Sequence, residues 1–408
     1  MSDEKLAIEG GTPVRDTALA YGRQWIEDDD VEAVAETLRS DYLTCGPKVT
    51  EAEKKLAEYT GAKYVSLMNS GTSALHAAAF AAGLQTGDEM IVTPFTFMAS
   101  ANCALYVGAK PVFADIDPDT YNINPEEIKT KITSHTKAVV AVDFSGELVN
   151  AEEIRKLCDK NGLVFIEDAA HSIGSKCKIS DGTVKNCGTL ADMTCMSFHP
   201  VKTVTAAEGG AVLTDNADYA EKVNLFRAHG MEHDHAKIPY DGDPDDFGIW
   251  YYDQTFLGYN YRMTDVQAAL LSSQLKKIDR FVERRKELVT QYDEAFARMP
   301  EIHTQAHAPW SDAARHLYTI RLNRELLSCT RKEFFEAMRA ENIYCQVHYV
   351  PTYYFTNYQK LGYKRGLCPV AESVYENIMS IPLFPRMTDE DQADVIKAIQ
   401  KIVARYGK

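Results

Sequence analysis

Two segments place reactive side chains where a fold could use them. In Met196-Ser197-Phe198-His199-Pro200-Val201-Lys202-Thr203, one lysine sits in a proline-shaped turn between the apolar run Met193 to Met196 and the pair Gly209-Gly210. Upstream, Val164-Phe165-Ile166 runs into Glu167-Asp168-Ala169-Ala170-His171. An apolar run that ends in a carboxylate is how a buried parallel strand delivers an acid to the rim of a sheet. A third segment, Asn69-Ser70-Gly71-Thr72-Ser73, is a small-residue turn of phosphate size. A lysine able to form a Schiff base, an aspartate able to keep a ring nitrogen protonated and a phosphate turn together suit pyridoxal 5'-phosphate (PLP).

Each residue carries its own physical demand. To attack a carbonyl, Lys202 must lose a proton, so its pKa must fall from about 10.4. Burial beside other positive charge would lower it. A carboxylate at Asp168 would stabilise a protonated ring nitrogen, but an aspartate at a strand end also serves as a helix cap. Gly71, Thr72 and Ser73 open a helix whose amides and dipole favour a phosphate; a plain N-cap turn has the same residues. Phe97 fits either a core position or the face of an aromatic ligand.

The elements that must position these residues follow from hydrophobic pattern. Apolar runs at Tyr64 to Leu67, Met90 to Val92, Pro111 to Phe113, Ala138 to Val142, Val164 to Ile166, Met193 to Met196 and Ala211 to Leu213 alternate with helical stretches such as Ser73 to Gly83 and Ala151 to Lys160. This alternation predicts an α/β fold with a mostly parallel sheet. The absence of G-x-G-x-x-G and Walker A spacings removes the main warrant for dinucleotide and P-loop readings. Residues 234–248, rich in Asp, Gly and Pro, predict a long loop. Thr264-Asp265-Val266-Gln267 predicts a capping box opening a helix from Val266 to about Ile278. A basic amphipathic stretch, Arg280 to Arg298, follows. A strand is expected at His316 to Leu322, with helices starting at Thr330 and Thr388. We expect a large domain over 1–280 and a smaller C-terminal α+β domain over 281–408.

The Ser-Phe-His-Pro-Val-Lys and Glu-Asp-Ala-Ala-His segments resemble the DegT/DnrJ/EryC1/StrS family of sugar aminotransferases, which have the aspartate aminotransferase (type I PLP) fold. The resemblance runs through Asp41 to Pro47, Asn69 to Leu75, Thr93 to Phe97, Gly258-Tyr259-Asn260-Tyr261-Arg262-Met263 and Gln346 to Tyr349. It implies that Lys202 carries PLP and moves the proton, and that Asp168 meets the ring nitrogen. It also implies that His171 contacts the ring hydroxyl and Phe97 stacks on the ring. Ser197 joins Gly71, Thr72 and Ser73 at the phosphate, and Asn260 reaches the phosphate of a neighbouring subunit, hence a homodimer. Some relatives replace the lysine with histidine and dehydrate; lysine here favours transamination. The most similar branch is that of pseudaminic acid, which implies L-glutamate as donor and a UDP-linked 4-keto-6-deoxy-N-acetyl-hexosamine as acceptor. A dTDP- or GDP-linked keto-sugar is the alternative, and a non-enzymatic PLP or sugar-nucleotide regulator a further one. Many members of the family have Val-His and a proline after the glycine where this chain has Val142-Asp143-Phe144-Ser145-Gly146-Glu147. That departure touches the expected sugar pocket.

Composition sets the boundary conditions. The chain has 408 residues, 44 Lys and Arg against 59 Asp and Glu, and a net charge of −15. Such a charge argues against nucleic-acid or anionic-membrane partners, which need a basic face. No apolar run is long enough to span a bilayer, and Met1-Ser2-Asp3-Glu4-Lys5 has no signal core. Nine cysteines without a C-x-x-C pair predict free thiols and a cytoplasmic setting. His229, His233 and His235 lack a partner at a recognised metal spacing, so no metal is expected.

Overall fold

The computed structural model describes residues 5–243 and 246–408. Met1 to Glu4, and Pro244 and Asp245 of the predicted loop, lie outside the described residues. All seven apolar runs are strands, here β1 (Tyr64–Met68), β2 (Glu89–Val92), β3 (Lys110–Phe113), β4 (Thr136–Val142), β5 (Val164–Asp168), β6 (Met193–Ser197) and β7 (Gly210–Thr214). They form one sheet in the order β1-β7-β6-β5-β4-β2-β3. β7 runs antiparallel to both neighbours; the remaining pairs are parallel.

Alternate side chains on a strand face opposite ways. Val139, Ala141 and Phe165 enter one core, while Ala138, Val140 and Ile166 enter another. The sheet is therefore covered on both faces, as expected for strands whose residues are apolar in unbroken runs. The helices Gly71–Ala81 and Ala151–Asn161 lie where the pattern places them.

The C-terminal part builds an antiparallel sheet from Ile302–Thr304, Tyr318–Leu322 and Ile378–Ile381. Helices Arg331–Ala340 and Asp389–Tyr406 close over it, capped by Thr330 and Thr388. Leu6 and Leu19 of the N-terminal segment enter the same core. The predicted helix from Val266 runs Asp265–Leu275 behind the Thr264 capping box, and a second helix, Ile278–Phe296, follows. Its first residues, Ile278 and Phe281, pack under the large sheet; Leu288 and Phe296 pack in the C-terminal core. We propose the division at residue 280, inside the first turn of this bridging helix.

The strand expected from His316 begins at Tyr318 instead. The amides of His316 and Leu317 both donate to the Ser145 carbonyl, at 2.7 and 3.4 Å, so they are drawn out of the ladder. The described residues of the predicted loop, 234–243 and 246–248, lie between the paired short strands Met231–Glu232 and Asp253–Gln254. Phe247 stacks on Tyr240 at 4.8 Å and meets His235 at 4.5 Å. Among the described residues no helix is long and apolar enough to cross a membrane. All nine cysteines are free, and only Cys45 is exposed.

Candidate active site

β5 ends at Asp168, β6 ends at Ser197, and Phe97 follows the end of β2. β1 is antiparallel to β7, and β7 to β6, so β1 points the same way as β6. The carboxyl ends of β1, β2, β5 and β6 therefore share one edge, where open α/β sheets bind ligands. A cavity of about 490 Å³ opens there. Gly71, Thr72, Phe97, Asp168, His171, Ser197 and Lys202 line it; Ser73 and Asn260 do not.

Asp168 is buried, and its Oδ2 accepts a 2.6 Å hydrogen bond from Ser100 Oγ. Oδ1 accepts from the Ala170 amide at 3.1 Å, within a turn rather than at the start of a helix. Burial pushes the carboxyl above its ordinary range, against the pull of these two hydrogen bonds and of Lys202. A buried carboxylate with nearby donors but no cation in contact gains most from a positively charged ring nitrogen.

Lys202 stands in the turn after β6, its amide bonded to the His199 carbonyl at 2.9 Å. Burial lowers its pKa from 10.5 to about 8, and the Asp168 carboxylate opposes the fall. The expected neighbouring positive charge is not the cause. Desolvation alone lowers it, as for a lysine in a low-dielectric site.

The phosphate turn divides its labour. Ser70 is the N-cap of Gly71–Ala81, and its Oγ accepts from the Ser73 amide at 3.1 Å. The Ser73 hydroxyl donates within the turn, toward Asn69 Oδ1 at 2.7 Å and the Ser70 carbonyl at 2.8 Å. Ser73 is thus buried in the cap, whereas Ser70, Gly71 and Thr72 face the cavity. A Cβ on Gly71 would stand 2.9 Å from Ser197 Cβ, so glycine is what lets the helix start approach β6. This cradle, the Ser197 hydroxyl beside it (without a hydrogen-bond partner among the described residues), the buried Asp168 and the depressed Lys202 fit PLP in size, charge and reactivity. Phe97 is 54% exposed, which removes the core reading and leaves its ring at the cavity wall.

Asn260 is exposed and turns its backbone to the phosphate turn: its carbonyl accepts from Asn69 Nδ2 at 3.3 Å. His171 uses both ring nitrogens inside the chain, with the Ser145 amide at 3.2 Å from Nδ1 and Tyr349 Oη at 3.2 Å from Nε2. The departing segment 142–147 contributes only Val142 to the cavity wall. Its other residues form a support: Glu147 pairs with Arg315 at 2.6 Å, and Ser145 bonds the 316–317 backbone. His235 meets the Tyr251 carbonyl at 3.2 Å, and His233 packs on Tyr252. Among the described residues the group with metal-like spacing is Asp143, Glu167 and Cys187, not these histidines.

Sequence reasoning missed Tyr21, Ser100, His316 and the roles of His348 and Tyr349, all in the cavity wall. His348-Tyr349 lay within a recognised motif, but Tyr21, Ser100 and His316 carry no local signal.

Known proteins match this arrangement. The profile of the DegT/DnrJ/EryC1/StrS aminotransferase family matches residues 24–400. A UDP-4-amino-4,6-dideoxy-N-acetyl-beta-L-altrosamine transaminase of Campylobacter jejuni is 37% identical, covering 96% of this chain and 99% of that protein. The spore coat polysaccharide biosynthesis protein SpsC of Bacillus subtilis is 37% identical over 95% of this chain and 98% of its own length. The solved structure of Helicobacter pylori PseC, an aminotransferase of pseudoaminic acid biosynthesis, superposes with a TM-score of 0.86 at 31% identity, over 96% of this chain and all of that one. A putative sugar aminotransferase of Streptococcus pneumoniae in its PLP form gives 0.86 at 28% identity, over 95% of this chain and 99% of that one.

Proposed function

The chain belongs to the DegT/DnrJ/EryC1/StrS aminotransferase family, a PLP-dependent enzyme of the type I fold, and from that premise we propose how it works and on what. It transfers an amino group from L-glutamate to a nucleotide-linked 4-keto-6-deoxy sugar, a UDP-N-acetyl-hexosamine derivative. The names of the Campylobacter and Helicobacter relatives support that acceptor. The observation that carries the reading is the convergence of Asp168 and Lys202 at one sheet edge, beside a cradle of Gly71, Thr72 and Ser197.

PLP, when bound, supplies an electron sink for the amino group's carbon. The chain's own groups do the rest. Asp168 would favour a protonated ring nitrogen by its charge. Lys202 Nζ, its pKa lowered by burial to about 8 and the amine increasingly neutral above that pH, would accept and return the proton that moves in the reaction. Ser197 and the helix N-terminus at Gly71 and Thr72 anchor the phosphate. Phe97, in the cavity wall, would offer its ring to one face of the cofactor. Asn260 serves the cofactor of the second subunit in a homodimer; its exposure outside its own cavity supports this assignment.

Spectroscopy tests the reaction class. The purified protein should be yellow, and glutamate should bleach it to the pyridoxamine form; a panel of nucleotide keto-sugars should restore the colour with one acceptor. Lys202→Ala should neither bleach nor turn over while keeping its fold. Wild-type turnover by that variant would remove Lys202 from the mechanism.

A further inference from the structure

His171 lies one helical turn's length beyond Asp168 in sequence, yet it offers the cavity no free nitrogen. The Ser145 amide can only donate, and it meets His171 Nδ1 at 3.2 Å. Nδ1 must then present its lone pair, and a neutral imidazole carries its proton on Nε2. Nε2 lies 3.2 Å from Tyr349 Oη, so the tyrosine oxygen accepts. Among the described residues that hydroxyl has no other hydrogen-bond partner, and Tyr349 lines the cavity. Its own proton is therefore free to point at a ligand.

The start of this relay is held from several sides. Ser145 has φ +61, and its carbonyl takes the amides of His316 and Leu317. Gly146, at φ +96, has room for no side chain: a Cβ would stand 2.9 Å from the His171 carbonyl and 3.0 Å from that of Ala314. Burial and the nearby Lys202 and His348 keep His171 well below its ordinary pKa, so the ring stays neutral. Burial likewise raises the Tyr349 phenol, which keeps its proton.

We infer that Tyr349 is a hydrogen-bond donor to an acceptor oxygen of the bound ligand, and that His171 is a positioning residue, its tautomer set by the Ser145 amide. This rests on the function proposed above only for the identity of that oxygen. Two sources share the chemistry: the ring phenolic oxygen of PLP, and an oxygen of the keto-sugar.

The first test is NMR on the PLP holoenzyme with 15N-labelled histidine, His171 being assigned by its loss in His171→Gln. The Nε2–H tautomer is expected; an Nδ1–H tautomer or an imidazolium overturns the relay. The second is Tyr349→Phe, checked by thermal unfolding. If the ring oxygen is the acceptor, the visible-band pH titration of the holoenzyme moves upward by about one unit, since removing a donor makes that oxygen more basic. If the sugar is the acceptor, that titration and the glutamate half-reaction stay put. The return half-reaction with UDP-4-keto-6-deoxy-N-acetyl-hexosamine then slows by about tenfold, the loss of one hydrogen bond. His171→Phe should copy Tyr349→Phe. His171→Gln should restore function, because its amide accepts from Ser145 and donates to Tyr349. Tyr349→Phe with neither change refutes the proposal. Should glutamate fail to bleach the wild type, the aminotransferase reading falls while the tautomer still decides the relay; the tautomer also decides it if Tyr349→Phe does not fold.

Discussion

Lys202 and Asp168 are tuned against each other. Burial works to make the lysine neutral and the carboxyl neutral, and their mutual attraction works to keep both charged. For the lysine burial wins, which leaves it titrating near pH 8. Only the free amine attacks the PLP aldehyde, so attachment of PLP to the apo-protein should be slow below that pH and accelerate as pH rises through about 8. Asp168→Asn removes the anion that holds the ammonium, so the midpoint should move to lower pH, followed by stopped-flow absorbance. The same variant should bind PLP more weakly by about 1.5–3 kcal/mol, the value of a charge-assisted hydrogen bond. A midpoint that rises in Asp168→Asn would contradict this account of the pair.

At the scale of elements, one helix start serves two ends. Ser73 closes the capping box of Gly71–Ala81, while Ser197 at the end of β6 keeps its hydroxyl for the cavity. Ser73→Ala should lower stability by about 1 kcal/mol, in the range of a lost cap, with a smaller effect on PLP affinity. Ser197→Ala should weaken PLP with an unchanged unfolding midpoint. Equilibrium unfolding and PLP titration of both variants separate the two roles; equal loss of PLP affinity would put Ser73 back at the phosphate. The support under the site is a further element-scale device. Glu147 and Arg315 are both buried and paired at 2.6 Å, joining the turn after β4 to the segment that carries His316. Glu147→Ala strands a buried guanidinium, so it should cost about 3–5 kcal/mol by urea unfolding. A companion Arg315→Met change should recover part of that loss, because the penalty lies in the unpaired charge.

For the whole molecule, the proposed homodimer raises the question of how two copies would share their sites. Asn260 lies outside its own cavity, and the segment before it exposes Ile249, Trp250, Tyr252 and Leu257. Soluble homo-oligomers favour closed twofold pairs, in which one interface builds two equal sites. Lys202→Ala mixed with Asn260→Ala should therefore regain activity in the heterodimer, at no more than half its sites, provided that Asn260→Ala alone is defective. An active monomer by sedimentation, or proven subunit exchange without complementation, would rule out shared sites.

Much of this molecule is local in origin. β-Branched and apolar runs such as Ala138 to Val142 and Val164 to Ile166 become buried strands because extended backbone is where such side chains pack best. Thr264, Thr330 and Thr388 start helices because each stands three residues before a Gln, Glu or Asp that completes the cap. Those signals sufficed to put Asp168 at a strand end and Lys202 in a turn. Only the tertiary structure decided the rest, because its contacts join residues with no periodic or neighbouring relation. Ser100 reaches Asp168 from 68 positions away, and Tyr349 reaches His171 from 178. Burial, which lowers Lys202 and holds His171 neutral, is a property of everything packed around a group. The proton on His171 is placed by an amide at Ser145, whose direction exists only once the turn after β4 has met the segment carrying His316.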